Sequence, residues 1–305
     1  MAQSYATLTE SAVENSYTEQ PASFEAMLDS LEIKVVHNTF EQVELEVVGL
    51  DAPVANAIRR ILLSEVPSMA IEHVYLDQNT SVIPDEVLAH RLGLIPIKSD
   101  ARKFRYRVGE EDHDESNSLT FRLHAKCPMD KPMLTVYSGD FIYEPTGDQS
   151  FAMPNIRPVH EDIIIAKLGP GQEIEAELVC EKGIGQTHAK WSPVCTASYR
   201  LMPAIALKSK VVGDLAEGLV SCCPARVFDI EDSVAVVSRP RDCTSCRECI
   251  RLHSDLVSLN KVKNHFIYTV ESVGALPALE LFVEAVKVLR DKSEFWLNKL
   301  AKETN

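Results

Sequence analysis

The stretch QVELEVVGLDAPVANAIRRILLSEVP, residues 42–67, changes its hydrophobic period halfway along. Val43, Leu45 and Val47 alternate with Glu44 and Glu46, the pattern of a strand with one face buried. Beyond Gly49 the spacing lengthens. Asp51 stands where a helix N-cap is wanted, and Pro53 falls in the first turn, where a missing N–H costs little. Val54, Ala57, Ile58, Ile61 and Leu62 then line one helical face, with Arg59 and Arg60 off it, and Pro67 stops the helix.

Working outward, Leu31, Ile33 and Val35 alternate with polar neighbours and predict a strand just upstream. Residues 77–198 read mostly as strands. Leu119, Phe121 and Leu123 alternate, as do Ile174, Ala176, Leu178 and Cys180. Loop signals such as Glu144-Pro145-Thr146-Gly147 separate them, and 85–92 reads as a short turn at most. Residues 265–273 predict another strand. A long helix follows over 277–300, ~36 Å at 1.5 Å per residue. Its apolar stripe carries Leu279, Phe282, Val286, Leu289, Trp296 and Leu300, widened by Leu281, Val283, Val288 and Leu297. So wide a stripe predicts that part of it waits for a partner subunit. Residues 1–30, rich in Ser, Thr, Glu and Gln, predict a disordered tail.

The formal net charge is −14 over 305 residues. Clustered Lys and Arg are what neutralise phosphates, so direct DNA contact is not expected. A basic stretch at 98–107 is followed at once by acidic residues 110–115 and reads as a solvated loop. No run of apolar residues is long enough for a membrane span. The first 21 residues lack the basic-then-apolar order of a secretory signal, so the eight cysteines are expected in a reducing compartment.

Five of those cysteines lie between 222 and 249. Cys243, Cys246 and Cys249 follow one another at two-residue gaps, the ligand run of bacterial-type ferredoxins. The next ligand position of such a run is taken by His253, followed by Ser254, so no second cluster is served. A distal thiolate is still needed, and Cys223-Pro224 lies twenty positions before Cys243. Between them, 227–230 and 234–237 read as a hairpin turning at Asp232 and Ser233. One [4Fe–4S] cluster on Cys223, Cys243, Cys246 and Cys249 is the first expectation. A [3Fe–4S] or empty site is the second, and zinc the third, because structural zinc usually takes two separated ligand pairs. Cys127, Cys180, Cys195 and Cys222 are expected to be core or incidental thiols.

Several motifs resemble α-like subunits of RNA polymerases. They are residues 49–72 around Ala55-Asn-Ala-Ile-Arg-Arg60, His90-Arg-Leu-Gly-Leu-Ile-Pro96, residues 166–172, His188-Ala-Lys-Trp191 with residues 199–203, and residues 262–274. The resemblance covers nearly everything after residue 31. The absence of cysteine over 98–118 points to the larger α-like subunit shared by eukaryotic polymerases I and III, rather than to the polymerase II counterpart with its zinc loop. An archaeal D subunit is the alternative within the family. The resemblance implies an α+β fold. Residues 31–76, 199–208 and 265–305 would form a split α/β dimerisation domain, 77–198 a β-rich insert and 209–264 a ferredoxin-like insert. It implies a nuclear, non-catalytic assembly subunit that pairs with a smaller α-like subunit and docks the second-largest polymerase subunit. The implied partner-binding residues are Asn56, Arg59, Arg60, Leu279, Phe282, Val286 and Leu289. The competing function is an iron–sulfur electron carrier or redox sensor, yet such a carrier would need only the cysteine-bearing insert. No nucleophile–base pair or carboxylate cluster argues for an enzyme.

Overall fold

The computed structural model describes residues 5–15, 24–109, 111–149 and 155–303. The elements begin with β1 (Tyr5–Leu8), β2 (Val13–Asn15), α1 (Phe24–Ser30), β3 (Glu32–Asn38), β4 (Gln42–Val48) and α2 (Ala52–Ser64). Next come β5 (Pro67–Asn79), α3 (Asp85–Gly93), β6 (Ile97–Lys98), β7 (Ser118–Lys126), β8 (Leu134–Tyr137) and β9 (Ile142–Glu144). They continue with β10 (Arg157–Pro158), β11 (Ile164–Leu168), β12 (Glu173–Ile184) and β13 (Val194–Leu207). The last are α4 (Asp214–Cys222), β14 (Phe228–Glu231), β15 (Val234–Val237), α5 (Glu248–Leu252), β16 (Val257–Ser272) and α6 (Ala278–Glu303). The fold is mixed α and β. Chain contacts divide it into two units, one of residues 1–36, 44–56 and 198–268, the other of 37–43, 57–197 and 269–305.

The sheet that runs through the first unit has the order β2-β1-β16-β4-β3, with β13 also pairing β16. In β4, Val43, Leu45 and Val47 are buried while their neighbours are half-buried, as the period of two requires. Strand β3 differs from its reading. All seven of its residues are exposed, including Ile33 and Val35. It is an edge strand that leaves apolar side chains open. Gly49 makes the turn into α2 at φ 85°, and a Cβ there would lie 2.4 Å from the Ser30 carbonyl oxygen. The Asp51 carboxylate accepts from the Ala52 N–H at 2.8 Å, and the predicted helix follows with Ala55, Ile58, Ile61 and Leu62 buried.

The N-terminal residues correct an expectation. Residues 1–4 and 16–23 lie outside the described residues, but Tyr5–Leu8 is a strand rather than a disordered tail. It pairs antiparallel with β16, Tyr5 opposite Val262 and Leu8 opposite Leu259. The cause is burial, since Ala6 and Leu8 are each only 5% exposed. Leu8 shares a core with Leu219, Phe228, Cys249, Ile250, Val257 and Leu259, so the cysteine-bearing stretch packs against sheet residues rather than standing alone.

The second unit is built on the sheet β5-β12-β7-β9. Leu119, Phe121 and Leu123 of β7 and Ala176, Leu178 and Cys180 of β12 form its core with Leu88 and Leu92 of α3, a full nine-residue helix where the sequence suggested a turn. Cys127 and Cys180 are fully buried core thiols. Helix α6 also belongs here. Its first half buries Ala278, Leu281, Phe282 and Ala285, whereas nearly every position after Leu289 is exposed. Among the described residues no helix is long and apolar enough to cross a membrane.

Candidate metal centre and partner faces

Cys223 follows the end of α4, Cys243 follows a short helical turn at Pro240–Asp242, and Cys249 sits inside α5. Two devices bring these places together. The first is the β14–β15 hairpin, whose turn residues Asp232 and Ser233 have φ of 49° and 63°, both in the left-handed region as a tight two-residue hairpin requires. It returns the chain from Cys223 toward Cys243. The second is the loop itself, where Ser245 (φ 59°) and Arg247 (φ 67°) curl the backbone around Cys246. Arg241 anchors that loop within the first unit. It pairs with Glu44 at 2.6 Å and with Glu46, while its carbonyl accepts from the Arg200 guanidinium at 2.8 Å.

All four predicted ligands line one small hollow, walled by Ile205, Ala225, Val227, Phe228 and Leu259. Neither His253 nor Cys222 lines it. The Cys222 thiol instead approaches the Leu219 carbonyl at 3.1 Å. Two backbone N–H groups donate to sulfurs of this predicted set, Val227 to Cys223 and Ser245 to Cys243, each at 3.4 Å. Such bonds are among the levers that tune iron–sulfur clusters. Burial pushes the Cys249 thiol up to about 12, with the neighbouring cysteines adding to the rise. Burial also raises Cys243, opposed by the Ser245 N–H. Four crowded thiols of this kind do not ionise together unless a cation takes up their charge.

The donor set fits an iron–sulfur cluster. Four sulfurs converge on a mostly apolar hollow, and backbone N–H groups point at two of them. It suits a single zinc ion less well. Zinc–sulfur bonds of ~2.3 Å place tetrahedral ligands only ~3.8 Å apart. Among the described residues, the groups whose ligand atoms gather within 4.8 Å are His73–His113–Glu181 and His124–Glu173–Glu175, and the four thiols are not among them.

The predicted partner residues fall into three classes. On α2, Asn56 and Arg59 are half-buried and Arg60 is exposed. On α6, Val286 is 43% exposed and Leu279 and Leu289 are half-buried. Phe282 is a correction. It is 6% exposed and belongs to the chain's own packing, so it presents no open face. The open apolar surface lies further along the helix, at Phe295, Trp296, Leu297 and Leu300, which are 55–65% exposed. Trp296, Leu297 and Leu300 stood in the predicted stripe. Phe295 did not, and its adjacency to Trp296 was the available signal.

Residues 74–196 match the family described as the RNA polymerase Rpb3/RpoA insert domain. The chain is 44% identical over 321 residues to the DNA-directed RNA polymerases I and III subunit rpac1 of Dictyostelium discoideum, covering 96% of this chain and 93% of that protein. It is 44% identical over 290 residues to RPAC1 of Homo sapiens, covering 88% and 84%. The archaeal polymerase subunit Rpo3 of Methanosphaera stadtmanae is 33% identical over 280 residues, covering 90% of this chain and all of that subunit. An insert-domain match over the β5–β12 unit and full-length similarity to these subunits agree with the motifs in α2, α3 and β16, and the chain therefore belongs to the α-like subunit family of DNA-directed RNA polymerases, with RPAC1 of polymerases I and III among its relatives.

Proposed function

We propose that the chain is a non-catalytic assembly subunit of nuclear RNA polymerases I and III, which pairs with a smaller α-like subunit and then docks the second-largest subunit. The observation that carries this reading is the apolar surface left open at the end of α6, where Phe295, Trp296, Leu297 and Leu300 are 55–65% exposed. Four large apolar residues crowded on one helix end form a patch that water disfavours and a partner would cover. Residues 31–76, 199–208 and 265–305 act as the split dimerisation domain in this reading, and Arg59 and Arg60 supply the contact to the second-largest subunit. Arg suits that role because its planar fork bonds carboxylates and carbonyls in pairs. The net charge of −14 supports assembly through protein rather than DNA.

The test is co-purification from cells that express the tagged chain, followed by mass spectrometry. Polymerase I and III subunits in the eluate support the proposal, and a reductase as the main partner would replace it. The higher identity to the polymerase I and III subunits, 44% against 33% for the archaeal one, favours this branch over an archaeal-type role.

The same reading gives Cys223, Cys243, Cys246 and Cys249 one [4Fe–4S] cluster as a structural staple. When bound, the cluster would supply cross-linking bonds between distant points of the chain. The protein's part is to hold four thiolates around the hollow, donate N–H groups to two of them and keep water off the buried side at Cys249. A second reading, redox sensing, is favoured by one observation. Cys246 is exposed, so one corner of the site is open to oxidants.

A further inference from the structure

One cluster of side chains in the second unit gathers metal-ligand chemistry that neither assembly nor iron–sulfur binding uses. His73 on β5, Glu181 on β12 and His113 in the segment before β7 each bring a ligand atom within 4.8 Å of the others. Glu181 Oε1 lies 3.1 Å from His73 Nε2 and 3.7 Å from His113 Nδ1. The strand register explains the meeting. Val179 stands opposite His73, and Glu181, two residues on, shares its face, while Leu178 and Cys180 point into the core. A register shift between Val179 and Cys180 marks the spot on the sheet.

These distances suit a metal. Zinc bonds to imidazole nitrogen and carboxylate oxygen are ~2.0–2.2 Å, so tetrahedral ligand atoms stand ~3.3–3.6 Å apart. The two measured edges bracket that range. Arg107 is the obvious rival, because its Nε lies 2.7 Å from Glu181 Oε1 and its Nη2 lies 3.4 Å from His73 Nε2. Distance and direction disagree there. Glu181 Oε1, His113 Nδ1 and Arg107 Nε are all buried atoms without a hydrogen bond, since the N–H does not point at the oxygen it approaches. Direction decides whether a hydrogen bond exists, so the ion pair leaves these lone pairs unsatisfied. The acceptors sit where a cation, rather than an N–H, would satisfy them at once.

We propose that His73, His113 and Glu181 form a binding site for one zinc-class divalent ion, with Arg107 as the outer partner of Glu181. The ion takes Glu181 Oε1, the oxygen that both histidines and Arg107 Nε approach here, and Arg107 shifts to the other carboxylate oxygen, where it orients the ligand as outer partners commonly do. Two imidazoles and a carboxylate favour zinc over magnesium or calcium, and three protein ligands leave one position for water. The bound ion would tie the segment carrying His113 to the β5–β12 pair.

Cobalt(II) is the probe, because cobalt bound to thiolate shows a charge-transfer band that imidazole-bound cobalt lacks. The untagged full chain carrying Cys243→Ser and Cys246→Ser is dialysed against Co²⁺, the wild-type chain is treated in parallel, and bound metal per chain is counted. One ion per chain without the charge-transfer band is expected in the cysteine variant, and the same visible bands beneath the thiolate signal in the wild type. His73→Ala and His113→Ala should each weaken this binding by more than the ~10–100-fold that loss of an outer partner costs, with unchanged circular dichroism. Both side chains are partly exposed, 37% and 27%, so their removal leaves folding intact. Absence of thiolate-free cobalt in both chains, or histidine variants that bind cobalt as tightly as the chain with both histidines intact, overturns the proposal.

Discussion

Cys249 is the residue through which the metal-free chain should feel pH. Its thiol is pushed up to about 12 in the folded chain, against about 8.5 for a free cysteine. Below pH 8.5 both states hold the proton and its contribution does not change. Above it the unfolded chain releases the proton and the folded chain keeps it, so stability falls as pH rises toward 12, by at most about 1.4 kcal/mol per pH unit. Denaturant titrations of metal-free protein at pH 8 and pH 10 should show this loss, and metal-loaded protein should not. In the proposed staple role, Cys246→Ser should abolish iron–sulfur absorbance and raise protease sensitivity between 209 and 264. A variant that stays colourless yet fully resistant would remove that role. Arg241→Ala should cost about 1–3 kcal/mol, because it leaves Glu44 and Glu46 facing each other without a cation. That the four cysteines would lie together was legible because three of them recur at fixed gaps in a short stretch. Arg241 was not, since its partners lie almost two hundred residues away and only folding brings them to it.

Among elements, α6 separates two kinds of apolar residue that its sequence period could not. Phe282→Asp should destabilise the chain itself by about 3 kcal/mol or more, since a charge would enter a buried site. Trp296→Asp with Leu300→Asp should leave thermal stability of the chain within about 0.5 kcal/mol and yet abolish pairing with a smaller α-like subunit in a pull-down. Retained pairing would move the interface elsewhere. On α2, Arg59→Ala with Arg60→Ala should preserve that pairing and weaken recruitment of the second-largest subunit, read by co-purification. The strand β3 was legible as a strand, but not as an open edge. Alternation says which residues share a face and nothing about whether that face is covered.

For the whole molecule, exposed apolar side chains on β3 and on the second half of α6 predict poor behaviour in isolation. Expressed alone, the chain should aggregate or elute in a broad high-mass peak. Co-expression with a smaller α-like subunit should yield a monodisperse complex. A stable monomer on size-exclusion chromatography would count against the assembly role.

Local patterns decided much of this protein. The change of period at Gly49 set a strand beside a helix, the period of two marked β4, β7 and β12, and the gaps between Cys243, Cys246 and Cys249 marked the loop whose thiols line one hollow with Cys223. Each depends on neighbours within a few residues, whose geometry the backbone itself fixes. Tertiary structure decided what contacts between distant segments decide. It placed Tyr5–Leu8 on β16, sent Phe282 inward while leaving Trp296 open, and met His73 with His113 and Glu181 across two strands and a loop. Burial is a property of what covers a residue, and in a chain folded from two units the cover comes from segments that no local pattern names.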